Sequence, residues 1–237
     1  MKPALVLIHG AVLNGGMWAP IAADLGRDFK VVTPDLPGHG TRAGEPFRLD
    51  TAVAMVREIA QSLAPSPIVL CGDSLGGYVS LASAASLGDQ LKGAVLGGCT
   101  GNFQGPVILL LKAQMALGKL ASPAKLKSQL EARILKEKYE AGPAILAGGI
   151  TPESFAVAVR ELQKVDFRAV LASITVPLVF VNGSRDWAHT LGERGTLAAN
   201  PRATLRRFPG TGHGVTIIRP AEFTAIVREF VSLTIGD

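Results

Sequence analysis

Short apolar runs of strand-like composition recur along the chain near 4–8, 29–33, 67–71, 93–97, 176–181 and 203–207. The central ones, such as Pro67-Ile68-Val69-Leu70, are apolar at nearly every position rather than at every second one. That pattern marks a strand buried on both faces, as in a parallel sheet. Between the runs lie stretches of helical character near 17–25, 50–64, 75–87, 191–199 and 219–233. Strand alternating with helix predicts an α/β protein: a doubly wound, mostly parallel sheet of about six strands, with helices on both faces and right-handed crossovers.

The segment 101–170 breaks this rhythm. It offers no convincing strand, and Leu126, Leu130 and Ile134 recur every fourth residue with Lys and Glu between them, the mark of an amphipathic helix. Gly142-Pro143 and Gly148-Gly149 punctuate its end. Residues 1–100 and 171–237 are therefore expected to form the core, with 101–170 inserted as a helical cap over the strand ends. Such a cap would close an apolar pocket and exclude water. Leu110, Met115 and Leu117 either pack the cap onto the core or line that pocket. Trp18 and Tyr78 are candidates for the pocket edge, with core packing the simpler reading.

Composition narrows the class. A chain of 237 residues, 48% of them hydrophobic, suits one domain with a full core. No run of about 18 apolar residues occurs, so no membrane span is expected. The first strand begins near Ala4, and nothing around it has the form of a secretory leader. Cys71 and Cys99 are too few for a disulfide framework, and reduced thiols in a cytoplasmic protein are expected. Much of the net charge of +5 falls in residues 112–140, where Lys112, Lys119, Lys125, Lys127, Arg133, Lys136 and Lys138 outnumber Glu131, Glu137 and Glu140. A solvated helix face is the plain reading, and a cationic rim that attracts anions is the sharper one. The basic residues lack interleaved aromatics, so nucleic acid is not an expected partner. There is no P-loop, and the four histidines lack metal-ligand spacing, so neither metal nor cofactor is expected. The expected partner is a small molecule bound by a monomer or homodimer.

The chemistry centres on CGDSLGG, residues 71–77, directly after an apolar strand. A G-x-S-x-G pattern between strand and helix places its serine, Ser74, on a sharp strained turn with the hydroxyl above the sheet. Gly72 and Gly76 flank it because strand and helix cross too closely there for side chains. A serine hydroxyl needs a base to become a nucleophile. His213, in the Gly-rich loop FPGTGHGV after a strand, is placed to serve. Asp186 follows the Val176–Val181 strand on an Asn182-Gly183-Ser184 turn and would orient the imidazole, with Asp166 a weaker rival. The order Ser, Asp, His is the one this type of site requires. Two backbone N–H groups should hold the oxyanion: Leu75, after the nucleophile, and Ala11, after the first strand. His189 reads as a surface-loop residue that could instead contact substrate. His9, Gly10 and the DLPGHG turn (35–40) read as structural, and Asp73 as either tuning the turn or facing solvent.

Taken together, LVLIHGA (5–11), VVTPDLPGHG (31–40), CGDSLGG (71–77), VPLVFVNGSRD (176–186) and PGTGHG (209–214) resemble the α/β-hydrolases, in that family's order and over nearly the whole chain. The HGAVLNGGMW opening is similar to that of small esterases, whose substrates are often methyl or aryl esters. The resemblance implies an α/β-hydrolase fold, lacking the two leading strands usual in the family. It also implies a serine esterase working on a small, apolar carboxylic ester through an acyl-enzyme. Carbon–carbon hydrolases and lyases use the same triad. The menaquinone-pathway lyases resemble this chain in DLPGHG and SLGG but usually carry Arg where Tyr78 stands, and hydroxynitrile lyases carry Lys where Gly214 stands. Ser74 argues against relatives whose nucleophile is Asp. A ligand-binding receptor of this fold is the remaining alternative.

Overall fold

The computed structural model describes residues 2–103 and 122–236. Leu110, Met115 and Leu117 lie outside the described residues. All six expected strands are present: β1 (Ala4–Ile8), β2 (Lys30–Val32), β3 (Ile68–Asp73), β4 (Leu91–Gly97), β5 (Leu178–Gly183) and β6 (Ala203–Phe208). They form one parallel sheet in the order β2-β1-β3-β4-β5-β6.

Alternate residues of the inner strands feed two separate cores. Ala4, Val6 and Ile8 of β1 join Ile68 and Leu70 of β3 on one face. Leu5 and Leu7 join Val69 and Cys71 on the other. The first face is covered by α2 (Leu49–Leu63) and α3 (Leu75–Leu87), the second by α1 (Ala19–Leu25) and α11 (Pro220–Ile235). This two-sided burial explains why these strands read as unbroken apolar runs. The expected helix at 17–25 is split: Gly15–Trp18 is a 3-10 turn capped by the Asn14 side chain, and α1 begins only after it.

Between β4 and β5 the described residues contain helices and no strand: α4 (Pro123–Glu137), α5 (Gly142–Gly148), α6 (Ser154–Leu162) and α7 (Phe167–Ser173). In α4, Ile134 is buried and Leu126 and Leu130 half-buried, while Lys125, Lys127, Arg133 and Lys136 are exposed. The last helix, α7, straddles the expected boundary at 170 and is capped by Asp166, whose carboxylate accepts the N–H groups of Arg168 and Ala169. Three short helices complete the chain: α8 (Trp187–Thr190), α9 (Glu193–Ala199) and α10 (Val215–Ile218).

Strand order reverses between β1 and β3, and ligands of open α/β sheets bind outside the carboxyl ends of strands at such a switch point. The loop after β1 is braced there by a buried histidine. His9 Nε2 accepts the Leu36 N–H at 2.9 Å and Nδ1 donates to the Gly10 carbonyl at 2.8 Å, which fixes one neutral tautomer. Asp35, in the DLPGHG turn, accepts the N–H groups of Gly15 and Thr41, each at 2.7 Å. Among the described residues no helix is long and apolar enough to cross a membrane.

Burial, reinforced by neighbouring His39, lowers the His9 pKa to about 3. The unfolded chain therefore binds a proton here that the folded chain refuses between pH 6.5 and 3, and stability falls as pH drops through that window. We expect His9 to account for a loss of about 2 kcal/mol between pH 7 and pH 5. Urea unfolding at the two pH values checks this, since His9→Gln should shrink the difference by that amount.

Candidate active site

Ser74 lies between β3 and α3 at φ 50°, ψ −112°, a conformation that side chains rarely adopt. The close crossing of helix and strand enforces it. A Cβ on Gly76 would stand 1.9 Å from the Ile8 carbonyl oxygen, and one on Gly72 2.5 Å from that of Gly76. Both positions are thus too close to neighbouring backbone for a side chain.

Asp186 stands at the N-terminal boundary of α8 with its side chain turned away from the helix end, and is buried, 6% exposed, while the His213 side chain is 46% exposed at the cavity edge. Their contact, His213 Nδ1 to Asp186 Oδ2, is 2.7 Å. The two loops are also cross-tied through backbone, with Arg185 N–H donating to Thr211 C=O at 2.9 Å. Burial opposes ionisation of Asp186, but the hydrogen bond and charge of His213 outweigh it and hold the carboxyl below its usual range. Burial likewise works against protonation of His213, and the Asp186 contact overcomes it, raising the imidazole above 6.5.

Ser74, His213 and Asp186 line one cavity of about 240 Å³ together with Ala11 and Leu75. Leu75 opens α3, so its N–H has no partner within the helix. Among the described residues the Ser74 hydroxyl makes no hydrogen bond to His213, and contacts of this kind tighten when substrate binds. Apolar side chains form the far wall, Phe155, Val159 and Leu162 of α6 among them. Tyr78 packs in the core at 1% exposure and also belongs to the lining. Its hydroxyl donates to the Gly101 carbonyl at 2.9 Å and accepts the Gly101 N–H at 3.0 Å, pinning the chain after β4. Trp18 does not: fully buried, it packs on Phe223 beneath the opposite face of the sheet.

At two residues the structure excludes one of two alternative readings. His189 is no free surface histidine and lines the cavity. Its ring lies under residue 101 and stacks on His213, centroids 5.0 Å apart at 16°. Burial first, and the neighbouring His213 second, lower its pKa to about 4, so it adds no cation beside the base near neutral pH. The spacing Asp186-x-x-His189 at a helix start, one turn apart, was the available signal. Asp73 does not face solvent. It is 4% exposed, accepts the Thr216 hydroxyl at 2.7 Å, and burial raises its pKa. Thr216 and Thr100, which accepts Asn182 Nδ2 at 2.7 Å and donates to the His189 carbonyl at 2.8 Å, carried no sequence signal.

Asp186, His189 and His213 bring potential ligand atoms within 4.8 Å of one another. The rings are nearly parallel, so their in-plane lone pairs diverge from any single ion, and Asp186 Oδ2 already holds His213. The arrangement suits a proton relay better than chelation.

A base must be neutral to act, so activity should fall as pH drops through a His213 pKa lying above 6.5. Asp186→Asn should lower kcat by about 10⁴ and move that acid limb of the kcat/KM profile to lower pH. Initial rates from pH 5 to 9 measure both.

Residues 5–226 match the alpha/beta hydrolase family. Among curated relatives, the pimeloyl-(acyl-carrier protein) methyl ester esterase of Nitrosomonas europaea is 28% identical over 241 residues, covering 94% of this chain and 93% of its own. The enzyme of that name from Xanthomonas oryzae pv. oryzae is 29% identical over 255 residues, covering 97% and 95%. Among solved structures, MenH from S. aureus superposes with a TM-score of 0.78 at 19% identity, covering 98% of this chain and 94% of that one. The enol-lactonase from Burkholderia xenovorans LB400 gives 0.77 at 20%, covering 98% and 92%. The sheet order, the strained serine turn and the match over 5–226 lead to one conclusion: this chain belongs to the alpha/beta hydrolase family.

Proposed function

We propose that this protein is a serine hydrolase of small-molecule carboxylic esters, acting through an acyl-enzyme on the Ser74–His213–Asp186 triad. The observation that carries this reading is the 2.7 Å Asp186–His213 contact, set in the same cavity as a serine held at φ 50°. Ser74 Oγ attacks the ester carbonyl as His213 Nε2 takes its proton, and Asp186 stabilises the imidazolium that forms. The N–H groups of Ala11 and Leu75 receive the oxyanion, and losing one such donor costs about 3–4 kcal/mol in the transition state. Collapse of the tetrahedral intermediate expels the alcohol, protonated by His213. Water, deprotonated by the same ring, then releases the acid and restores Ser74.

The apolar wall of α6 and the cavity volume of about 240 Å³ favour a modest, chain-like ester. Curated relatives bear the name of a methyl ester esterase, and we carry the methyl or small alkyl ester over to this chain as the substrate class. The described part of the insertion, residues 122–170, acts as a cap over the cavity, and α6 supplies its apolar wall. Cys71 and Cys99 are free and buried, which fits a cytoplasmic enzyme.

An activated aryl ester should give a burst of alcohol followed by steady turnover. Ser74→Ala should abolish the burst and lower kcat by about 10⁴-fold or more. A fluorophosphonate should label Ser74. Ligand binding without turnover, unchanged in Ser74→Ala, would identify a receptor instead.

A further inference from the structure

The loop that carries Ala11 is not held by the sheet alone. On its upstream side the His9 ring is fixed between Leu36 and Gly10. On its downstream side Val12 stands at φ 75°, in the left-handed region. A β-branched side chain there is an outlier that only its surroundings can maintain.

Those surroundings belong to the helical insertion. The Val12 N–H donates to Ser154 Oγ at 3.0 Å, and the Val12 carbonyl accepts the Thr151 N–H at 2.9 Å. Ser154 is 4% exposed, and its own proton is directed to the Thr151 carbonyl at 2.7 Å. Its oxygen is therefore left with lone pairs turned toward Val12, and one hydroxyl ties the two chain segments together. Two residues further on, Asn14 Nδ2 donates to the carbonyls of Ile145 and Gly149 at 2.8 and 2.6 Å. The stretch from Gly10 to Val12 is thus strung between a core histidine and an insertion serine.

We propose that Ser154 is a positioning residue for the oxyanion hole. By holding the Val12 N–H it fixes the Ala11–Val12 peptide on one side of Ala11, while His9 holds the Gly10 carbonyl of the peptide on the other side, and the two anchors together set the direction of the Ala11 N–H. The inference rests on the assignment of Ala11 as an oxyanion donor to a Ser74 esterase. A Ser154 that merely docked the insertion would reshape the pocket and act on KM. A Ser154 that aims the donor acts where charge develops, on kcat.

The test measures kcat and KM for an activated aryl ester in the wild type, Ser154→Ala, Ser154→Thr, Val12→Gly and Val12→Gly/Ser154→Ala. Affinity for a trifluoromethyl ketone, which forms a tetrahedral adduct on the serine, is measured alongside. Ser154→Ala should lower kcat about 10- to 100-fold with KM held within about twofold, and weaken the ketone by a similar factor. Ser154→Thr, which keeps the hydroxyl, should recover most of the loss. Glycine enters positive φ without penalty, so in the Val12→Gly background removal of the hydroxyl should cost less than about threefold. An unchanged kcat in Ser154→Ala, a loss confined to KM, or the same loss in both backgrounds overturns the proposal. If Ser154→Ala does not fold, Ser154→Cys takes its place. Its weakly accepting sulfur should lower kcat and ketone affinity together, and unchanged values overturn the proposal equally. Turnover that survives Ser74→Ala would overturn instead the serine-esterase reading beneath it.

Discussion

The tight crossing of α3 over the ends of β1 and β3 is the constraint on which the site depends. Gly76 lets the helix backbone approach the Ile8 carbonyl more closely than any side chain permits. With helix and strand that close, the connecting residue has no relaxed conformation open to it, and Ser74 takes up the strain. Leu75, the next residue, opens α3 and lines the same cavity as Ala11.

The other half of the site is held by polar groups. Asn182, at the end of β5, donates to Thr100 and to the buried Glu193, which in turn pairs with Arg207 of β6. Thr100 accepts the Thr196 hydroxyl at its carbonyl and donates its own to His189. Three chain segments that end strands β4, β5 and β6 are thereby fastened beneath Asp186 and His213. Buried networks of this kind rigidify as far as their members are satisfied; here the Asn182 amide donor has both its partners, while its Oδ1 has none among the described residues.

Much of this was legible in the sequence because it depends on local pattern. The inner strands declare themselves as apolar runs, the serine turn and the Asp186 turn are marked by glycines at points of close approach, and the His213 loop by Gly210 and Gly214 at positive φ. What escaped depends on tertiary packing. Asp73 was unassigned because β3 runs two residues past its expected end, carrying that side chain into the interior beside Thr216. His189 read as exposed because its burial comes from residues 100–101, remote in sequence, and the one local signal was its spacing from Asp186. Trp18 and Tyr78 looked alike as aromatic candidates, yet one helix face turned the first toward Phe223 and the other turned the second toward the cavity.

The bonds from Val12 and Asn14 to residues 145–154 have a consequence for how such a protein can diversify. An insertion above an open sheet looks like an exchangeable module, free to be swapped for another that admits a different substrate. Here the module also braces a strained stretch of the framework, so a transplanted replacement would bring a new pocket while leaving that stretch unsupported. Change is easier by residue-by-residue drift along the inner wall of α6 than by exchange of the whole segment, and the two parts are bound to be inherited together.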